Sequence, residues 1–166
     1  KYPFKGLSAA GIAFKLSEAV LGKNLTEILR RNFLELVALS TIADMMPRES
    51  ENKIFIEEGL YFLKDSWRPG VKAFLESEPF KNYSDINQKV SKIISILNIR
   101  DVKNSLPASF RLLSSCFLEE AKVIIEELLE KAETRKEKIE EIEAEVEKRL
   151  KKVEEDKSSS SATELL

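Results

Sequence analysis

Asp44 is the residue whose type and surroundings point most directly to chemistry. It stands near the end of a long apolar run, Leu36-Val37-Ala38-Leu39-Ser40-Thr41-Ile42-Ala43-Asp44-Met45-Met46-Pro47. A carboxylate at a helix C-terminus is disfavoured by the helix dipole, and removing it from water adds a further cost. Such a charge usually has a cation as its partner, which can be an arginine, a lysine or a metal ion. The alternative is that Asp44 reaches solvent or pairs with Arg48, four residues later.

The absence of histidine restricts the chemistry of the chain more than any other feature of composition. None of the 166 residues is histidine, which excludes Ser-His-Asp and Cys-His nucleophiles, histidine bases and histidine-ligated metals. A metal site would have to use carboxylates, carbonyls and water, which favours magnesium or manganese. The single cysteine, Cys116, cannot form an internal disulfide, so we expect a reducing, cytoplasmic compartment.

Charge divides the chain into a mildly basic body and an acidic extension. Residues 1–118 carry a net charge of +4, whereas residues 119–157 carry −5. The body could therefore meet a polyanion, although the same charge also fits an ordinary solvated surface. No apolar run approaches the roughly 20 residues that a membrane span needs, so we expect no membrane partner.

Apolar spacing predicts a mainly α fold with at most one strand. Ser8 is placed to cap a helix that ends at Gly22, and the apolar run over 25–46 predicts a largely buried helix closed by Pro47. A third helix begins at Asn52 or Lys53 and has its inner face at Ile54, Ile56, Leu60 and Leu63. A further helix is expected over 90–97, and a short amphipathic piece over 110–113.

The last predicted element is a long charged helix over 117–157, followed by a disordered serine-rich tail over 158–166. Neither glycine nor proline interrupts the helix, and its apolar residues follow a heptad pattern at Ala121, Ile125, Leu128, Ala132, Ile139, Ile142, Val146 and Val153. Arg135 and Arg149 stand where a coiled coil would favour leucine. The first third can pack on the body formed by 1–116, and the rest requires a partner, another domain or solvent.

Four segments carry a resemblance to the RecJ-type proteins of the DHH phosphoesterase family. Residues 6–15, Gly-Leu-Ser-Ala-Ala-Gly-Ile-Ala-Phe-Lys, resemble the family's LSGAGVAFK stretch, and residues 36–47 resemble its fourth motif, LVALGTVADVVP. Residues 51–60 resemble ENRILV…GL, and residues 68–71 match RPGL. The segments occur in the family's order and cover roughly residues 6 to 75, so together they form a fairly specific signal.

The resemblance implies a fold, a chemistry and a set of site residues. The fold would be the helical rear half of an α/β DHH domain, followed by the helix that leads to the next domain. The chemistry would be cleavage of single-stranded DNA from the 5′ end by water activated at a manganese pair, with Asp44 matching a metal ligand of the family. Lys53, Arg68 and Arg100 would contact phosphates of the strand, and the alternative for all three is solvated surface.

The sequence also departs from the family pattern. The first three motifs, which include the DHH triplet, would precede Lys1, and Leu97-Asn98-Ile99-Arg100-Asp101 stands where LNAAGR is expected. Ala9 and Ser40 replace glycines of the pattern. Because one carboxylate cannot hold two metal ions, we expect manganese or magnesium to bind only when the N-terminal motifs are supplied.

Three functions follow from this sequence. The first is a part of a RecJ-like single-stranded-DNA-specific exonuclease that is inactive as this isolated chain. The second is a non-catalytic RecJ-like replication factor that scaffolds the GINS complex and the MCM helicase, with GINS or other replication proteins as expected partners of the long helix. The third is a helical protein-interaction module whose extended helix forms a coiled coil.

Overall fold

The computed structural model describes residues 2–163, which form helices and one short hairpin. The α-helices are α1 (Ala9–Leu21), α2 (Glu27–Ala43), α3 (Ser50–Leu63), α4 (Pro69–Glu76), α5 (Glu78–Lys81), α6 (Ile86–Leu97), α7 (Ala108–Ser114) and α8 (Leu118–Thr163), and a 3₁₀ turn, Gly22–Asn24, follows α1. Strands β1 (Val102–Lys103) and β2 (Leu106–Pro107) pair antiparallel. The predicted mainly α class is confirmed.

Local side-chain chemistry fixes the ends of the first two helices. The Ser8 hydroxyl accepts a hydrogen bond from the Gly11 amide at 3.1 Å, and Thr26 does the same for Leu29 at 3.2 Å. Both are N-caps of the kind that serine and threonine favour. Gly22 ends α1 with a positive φ of 49°, which glycine adopts without steric cost. The predicted boundaries of α1 are therefore confirmed.

The apolar side chains form two cores that share α2 and α3. The smaller core lies between α1, α2 and α3, and its members are Leu7, Phe14, Leu34, Val37 and Phe55. Phe14 packs edge-to-face on Phe55 with ring centres 5.4 Å apart, a favourable aromatic geometry. The larger core joins α2 and α3 to α4–α8 and includes Leu63, Phe74, Phe80, Ile93, Leu112, Ile125 and Leu128.

The contact between α2 and α3 depends on Gly59. A Cβ atom at this position would lie 2.4 Å from the Leu34 carbonyl oxygen and 2.5 Å from the Ala38 Cβ, so only glycine fits the approach. The buried face of α3 is Asn52, Phe55, Ile56, Gly59, Leu60 and Leu63. The prediction that Ile54 faces inward is wrong, since its side chain is 49% exposed. The prediction failed because Asn52 and Gly59, which are not large apolar residues, occupy the inner face.

The β-hairpin contradicts the expectation of at most one strand. Its two strands contain two residues each and are joined by Asn104 and Ser105, which both have positive φ, 53° and 62°. Two consecutive residues of this conformation form a turn that matches the twist of a hairpin. The sequence pattern missed it because two-residue strands show no alternation and serine rarely adopts positive φ.

Helix α8 leaves the body after its first three turns. Its buried side chains are Ala121, Ile124, Ile125 and Leu128, and every side chain described from Glu133 to Lys151 is exposed. The helix continues to Thr163, six residues beyond the predicted boundary at Lys157, and residues 164–166 of the predicted tail lie outside the described residues. The division into body, connector and tail stays a prediction. Within residues 2–163, no helix has the length and hydropathy that crossing a bilayer requires.

Asp101 fastens α8 to the hairpin and to α7. Its side chain is 7% exposed and accepts hydrogen bonds from Lys131 at 2.6 Å and from Arg111 at 2.7 Å. The Asp101 carbonyl also accepts from the Ala108 amide at 2.8 Å. The Lys131 hydrogen bond lowers the pKa of Asp101 below its usual value, and the charges of Lys131, Arg111 and Lys103 act in the same direction against desolvation. Asp101 therefore stabilises three elements as a charged group.

We expect Gly59→Ala to destabilise the protein by about 1 to 3 kcal/mol, because the new methyl group forces α2 and α3 apart. Gly11→Ala is the matched control, since a Cβ there would meet its nearest neighbour at 3.4 Å, an ordinary contact. In a helix interior that change is neutral or stabilising. Urea unfolding followed by circular dichroism measures both, and equal stability of the two variants would contradict the close contact at Gly59.

We expect Asp101→Asn to lower the free energy of unfolding at neutral pH by about 2 kcal/mol, the range for hydrogen bonds to charged groups. The pKa of Asp101 is lower in the folded than in the unfolded state. The contribution of Asp101 to the free energy of unfolding is therefore fully present above the unfolded-state pKa, about 4. It is lost as the pH falls through the folded-state pKa. Wild type and variant should therefore converge in stability below about pH 4. Asp65→Asn, at an exposed site, is the control, and a gap that persists in acid would contradict the assignment.

Candidate metal ligand and nucleic-acid groove

Asp44 follows the last residue of α2 and reaches solvent. It is exposed, and its Oδ2 accepts a hydrogen bond from the Ser40 hydroxyl at 3.3 Å, one helical turn earlier. Within residues 2–163 no ion pair joins it to Arg48. The sequence left three possibilities for Asp44: a cation partner, pairing with Arg48 or exposure to solvent. In this structure Asp44 is exposed to solvent. The expected cost of desolvating Asp44 is therefore not incurred here.

The turn after Asp44 holds a residue in a strained conformation. The Met46 amide donates to the Thr41 carbonyl at 3.1 Å and the Met45 amide donates to Ile42 at 3.1 Å, the two bonds of a Schellman motif. Met45 occupies the position of that motif that glycine usually fills, with φ of 50° and a side chain 90% exposed. A left-handed non-glycine residue costs about 1 to 2 kcal/mol. The strained residue, Met45, is the direct neighbour of Asp44 in the chain.

Asn52 ties the segments around Asp44 together. Its buried amide nitrogen donates to the Gly6 carbonyl at 2.7 Å and to the Pro47 carbonyl at 2.9 Å. The hydroxyl groups of Ser8 and Thr41 form a second link, 3.2 Å long, between α1 and α2. Three of the segments that carry the resemblance therefore meet: the start of α1, the end of α2 and the start of α3. These contacts hold the chain on either side of Asp44, at Thr41 and at Pro47.

The residues near Asp44 do not by themselves form a metal centre. No group of three or more histidine, cysteine, aspartate or glutamate side chains suited to a metal ion occurs in the described part of the chain. Magnesium and manganese need several oxygen ligands each. Asp44 could serve as one ligand, and the others would have to come from elsewhere, so no hydrolytic step follows from these residues alone.

Lys53 lines an open basic groove that is bordered by α3 and by the start of α6. The groove has a volume of 610 Å³ and contains three basic side chains, Arg48, Lys53 and Lys64, against one acidic side chain, Glu57. The Tyr61 ring stands on its wall and is 69% exposed. Cations spaced along a groove suit a phosphate backbone, and an exposed aromatic face suits a base.

Arg68 is used inside the protein. Its guanidinium donates to the Leu113 carbonyl at 3.3 Å and to the Asn32 carbonyl at 3.2 Å, and its side chain is 15% exposed. Its Nε lies 4.0 Å from the buried Glu35 carboxylate, whose pKa is raised by burial, while the Ser66 hydroxyl donates to that carboxylate at 2.6 Å. Binding a phosphate would require Arg68 to give up these contacts, so the geometry gives no support to the role predicted from the sequence.

Arg100 lies apart from the groove. It is exposed between the end of α6 and the hairpin, and it does not contribute to the groove that contains Lys53. The structure therefore brings Lys53 to a basic surface, uses Arg68 as a structural residue and leaves Arg100 on a different surface. The nucleic-acid roles of all three residues stay predictions.

The sequence reasoning missed Arg48, Lys64 and Tyr61 as neighbours of Lys53. A signal was present, because Lys53, Glu57, Leu60 and Lys64 recur at spacings of three and four and so share one face of α3. Asn52 was also missed as a buried tether. In a sequence, a polar residue between apolar ones is expected to face solvent. Only the structure shows that Asn52 is buried and donates to backbone carbonyls.

Comparison with known proteins gives one consistent result. The chain is 40% identical over 75 residues to the single-stranded-DNA-specific exonuclease RecJ of Bacillus subtilis, a match that covers 45% of this chain and 9% of that protein. It is 35% identical over 86 residues to the RecJ of Dickeya dadantii, covering 45% of the chain and 15% of the relative. It is 29% identical over 153 residues to the RecJ of Salmonella typhimurium, a match that covers 82% of this chain and 26% of that protein. This chain is RecJ-like.

The likeness covers only a part of each relative. The matched residues span from 9% to 26% of the length of these RecJ proteins. No protein-family model matches the chain. The matches support a RecJ-like relationship over part of the relatives' length, and the activity of the complete RecJ proteins is considered for this chain only as a proposal.

Proposed function

We propose that this RecJ-like chain is a part of a single-stranded-DNA-specific exonuclease of the DHH phosphoesterase family and does not cleave DNA by itself. The observation that carries the proposal is the repeated similarity to bacterial RecJ exonucleases. In this proposal Asp44 is the metal ligand that the chain contributes, an exposed carboxylate between Thr41 and Pro47, which bond to Ser8 and Asn52 of the neighbouring motif segments. In this proposal the chain is the helical rear half of a DHH domain.

An exposed apolar face on α1 supports the proposal that a further structural element packs against this helix. Ile12, Leu16 and Val20 recur every four residues, and their side chains are 59%, 64% and 74% exposed. Such a contiguous face marks a surface that another structural element covers. The proposal assigns this face to the remainder of the DHH domain, which would also bring the further oxygen ligands to Asp44. Manganese or magnesium would then supply activated water.

The basic groove is the proposed path of the DNA strand. Arg48, Lys53 and Lys64 would contact phosphates, and Tyr61 would stack on a base. Contacts with the GINS complex or other replication proteins, the alternative helical-module role and a cytoplasmic location stay predictions from the sequence. The two experiments that follow separate the nuclease proposal from a purely protein-binding role.

We expect the 166-residue chain to bind a fluorescent single-stranded oligonucleotide weakly at low salt, with affinity measured by anisotropy. The double change Lys53→Glu and Lys64→Glu should lower that affinity by about tenfold or more, and the salt slope should become shallower by about 0.7 for each phosphate that is no longer neutralised. Lys151→Glu, on exposed α8, is the control and should have little effect. Failure to bind at low salt, or equal binding by all variants, would exclude the groove as a DNA site.

We expect Asp44→Ala to abolish manganese-dependent cleavage in a longer form of the protein that carries the remaining DHH motifs, because one metal would lose a ligand. The control is Glu49→Ala, an exposed carboxylate shortly after Asp44, which should retain activity. Degradation of a labelled single strand measures both. Full activity of Asp44→Ala would show that the match to the fourth motif has no catalytic meaning.

A further inference from the structure

Trp67, the only tryptophan of the chain, is held in one orientation with much of its ring in solvent. The residue is 63% exposed, although its indole nitrogen donates to the Asn32 Oδ1 atom at 2.5 Å. The Arg68 guanidinium lies over the ring, with its Cζ atom 5.7 Å from the ring centre, within the range of a cation–π interaction. Because Arg68 lies over one face of the indole, the exposed surface must include much of the opposite face. The ring is therefore preorganised to receive a flat ligand.

The neighbours of Trp67 on both sides are fixed by internal hydrogen bonds. The Arg68 guanidinium donates to two backbone carbonyls, and its side chain is only 15% exposed. The Ser66 hydroxyl accepts from the Arg68 amide at 3.2 Å and donates to the buried Glu35 carboxylate at 2.6 Å. Little conformational entropy is therefore lost when a ligand orders the segment that carries the indole.

A row of contacts connects Trp67 to the basic groove. The Tyr61 ring, on the wall of the groove, meets the Phe62 ring edge-to-face with ring centres 5.5 Å apart. The Arg31 Cζ atom lies 5.0 Å from the centre of the Phe62 ring, and the next residue, Asn32, binds the Trp67 indole. Tyr61 and Trp67 are therefore two exposed aromatic residues at the ends of one row, which crosses the C-terminal end of α3.

We propose that Trp67 is a stacking platform for a base of single-stranded DNA, and that the same strand occupies the basic groove. This inference rests on the proposed function, because it extends the proposed path of the strand beyond Tyr61. A base would stack on the open face of the indole, and the Arg68 guanidinium on the other face would add a cation–π contribution. Lys64, on the groove side of the row, would contact a phosphate between the two aromatic residues.

Charge beside Trp67 is nearly balanced, so the platform depends on the base and not on phosphate contacts. Arg31 donates to Glu27 at 3.1 Å, and both of these side chains are more than half exposed. Asp65, two residues before Trp67, offsets Lys64, and both are exposed. Every base presents a π-face to an aromatic ring, so such stacking tolerates any sequence. Trp67 therefore adds affinity for the bases of a strand, whereas the groove supplies the salt-dependent part of the binding.

Tryptophan fluorescence of the full chain tests the platform directly, because Trp67 is its only source. We expect a single-stranded oligothymidylate, titrated at low salt, to cause a saturable loss of this fluorescence with the same midpoint as the change in anisotropy. An abasic strand of equal length keeps the sugars and phosphates but has no base to stack, so it should cause no such loss. Binding without a loss of fluorescence, or equal losses with both strands, would overturn the platform and leave the groove standing. Absence of binding would contradict the groove and the platform together.

Substitutions separate the platform from the groove. We expect Trp67→Ala to weaken oligothymidylate binding by about fivefold or more, the loss of one stacked base, and to leave the salt slope unchanged because no phosphate contact is removed. Phe117→Ala is the matched control, since it removes another exposed aromatic ring, 72% exposed and outside the groove, and its effect should stay below about twofold. Far-ultraviolet circular dichroism should show unchanged helix content in both. Equal effects of the two changes, or a shallower salt slope in Trp67→Ala, would overturn the proposal.

Discussion

The close approach of α2 and α3 at Gly59 is the constraint on which the arrangement around Asp44 depends. Because the glycine has no side chain, the two backbones come near enough for Asn52, two turns earlier on α3, to reach the carbonyls of Gly6 and Pro47. Those bonds fix the start of α1 and the exit from α2. The same contact separates the two cores, since α1 packs on one side of the α2–α3 pair and α4–α8 pack on the other.

Charged and polar residues serve two different purposes that the sequence does not distinguish. Arg68, Glu35 and Asp101 are buried or nearly so, and each satisfies groups of the protein itself. Lys53 and Asp44 are exposed and make few contacts within the chain. A residue of the second kind is available to a ligand, whereas using one of the first kind would require breaking internal hydrogen bonds.

Much of the fold could be predicted from the sequence because helix signals are local. Ser8 and Gly22 marked the ends of α1 correctly, and the length of α8 followed from its lack of glycine and proline. The hairpin at Asn104 and Ser105 could not be predicted, since its strands are too short for a periodic pattern. For the site, the motif likeness predicted Asp44, Lys53, Arg68 and Arg100 as candidates, which stay predictions. Only tertiary packing shows that Arg48 and Lys64 join Lys53 and that Arg68 is engaged internally.

The anchoring of α8 at Lys131 has a mechanical consequence. Beyond this point the helix extends about 30 Å to Lys151, and within the described residues the contacts that hold it lie at its near end, at Asp101 and in the buried first turns. A tilt of about 10° at that end would sweep the far end through about 5 Å. A change in the packing at the hairpin or at α7 that tilted α8 would therefore displace the far end of the helix much more than its near end.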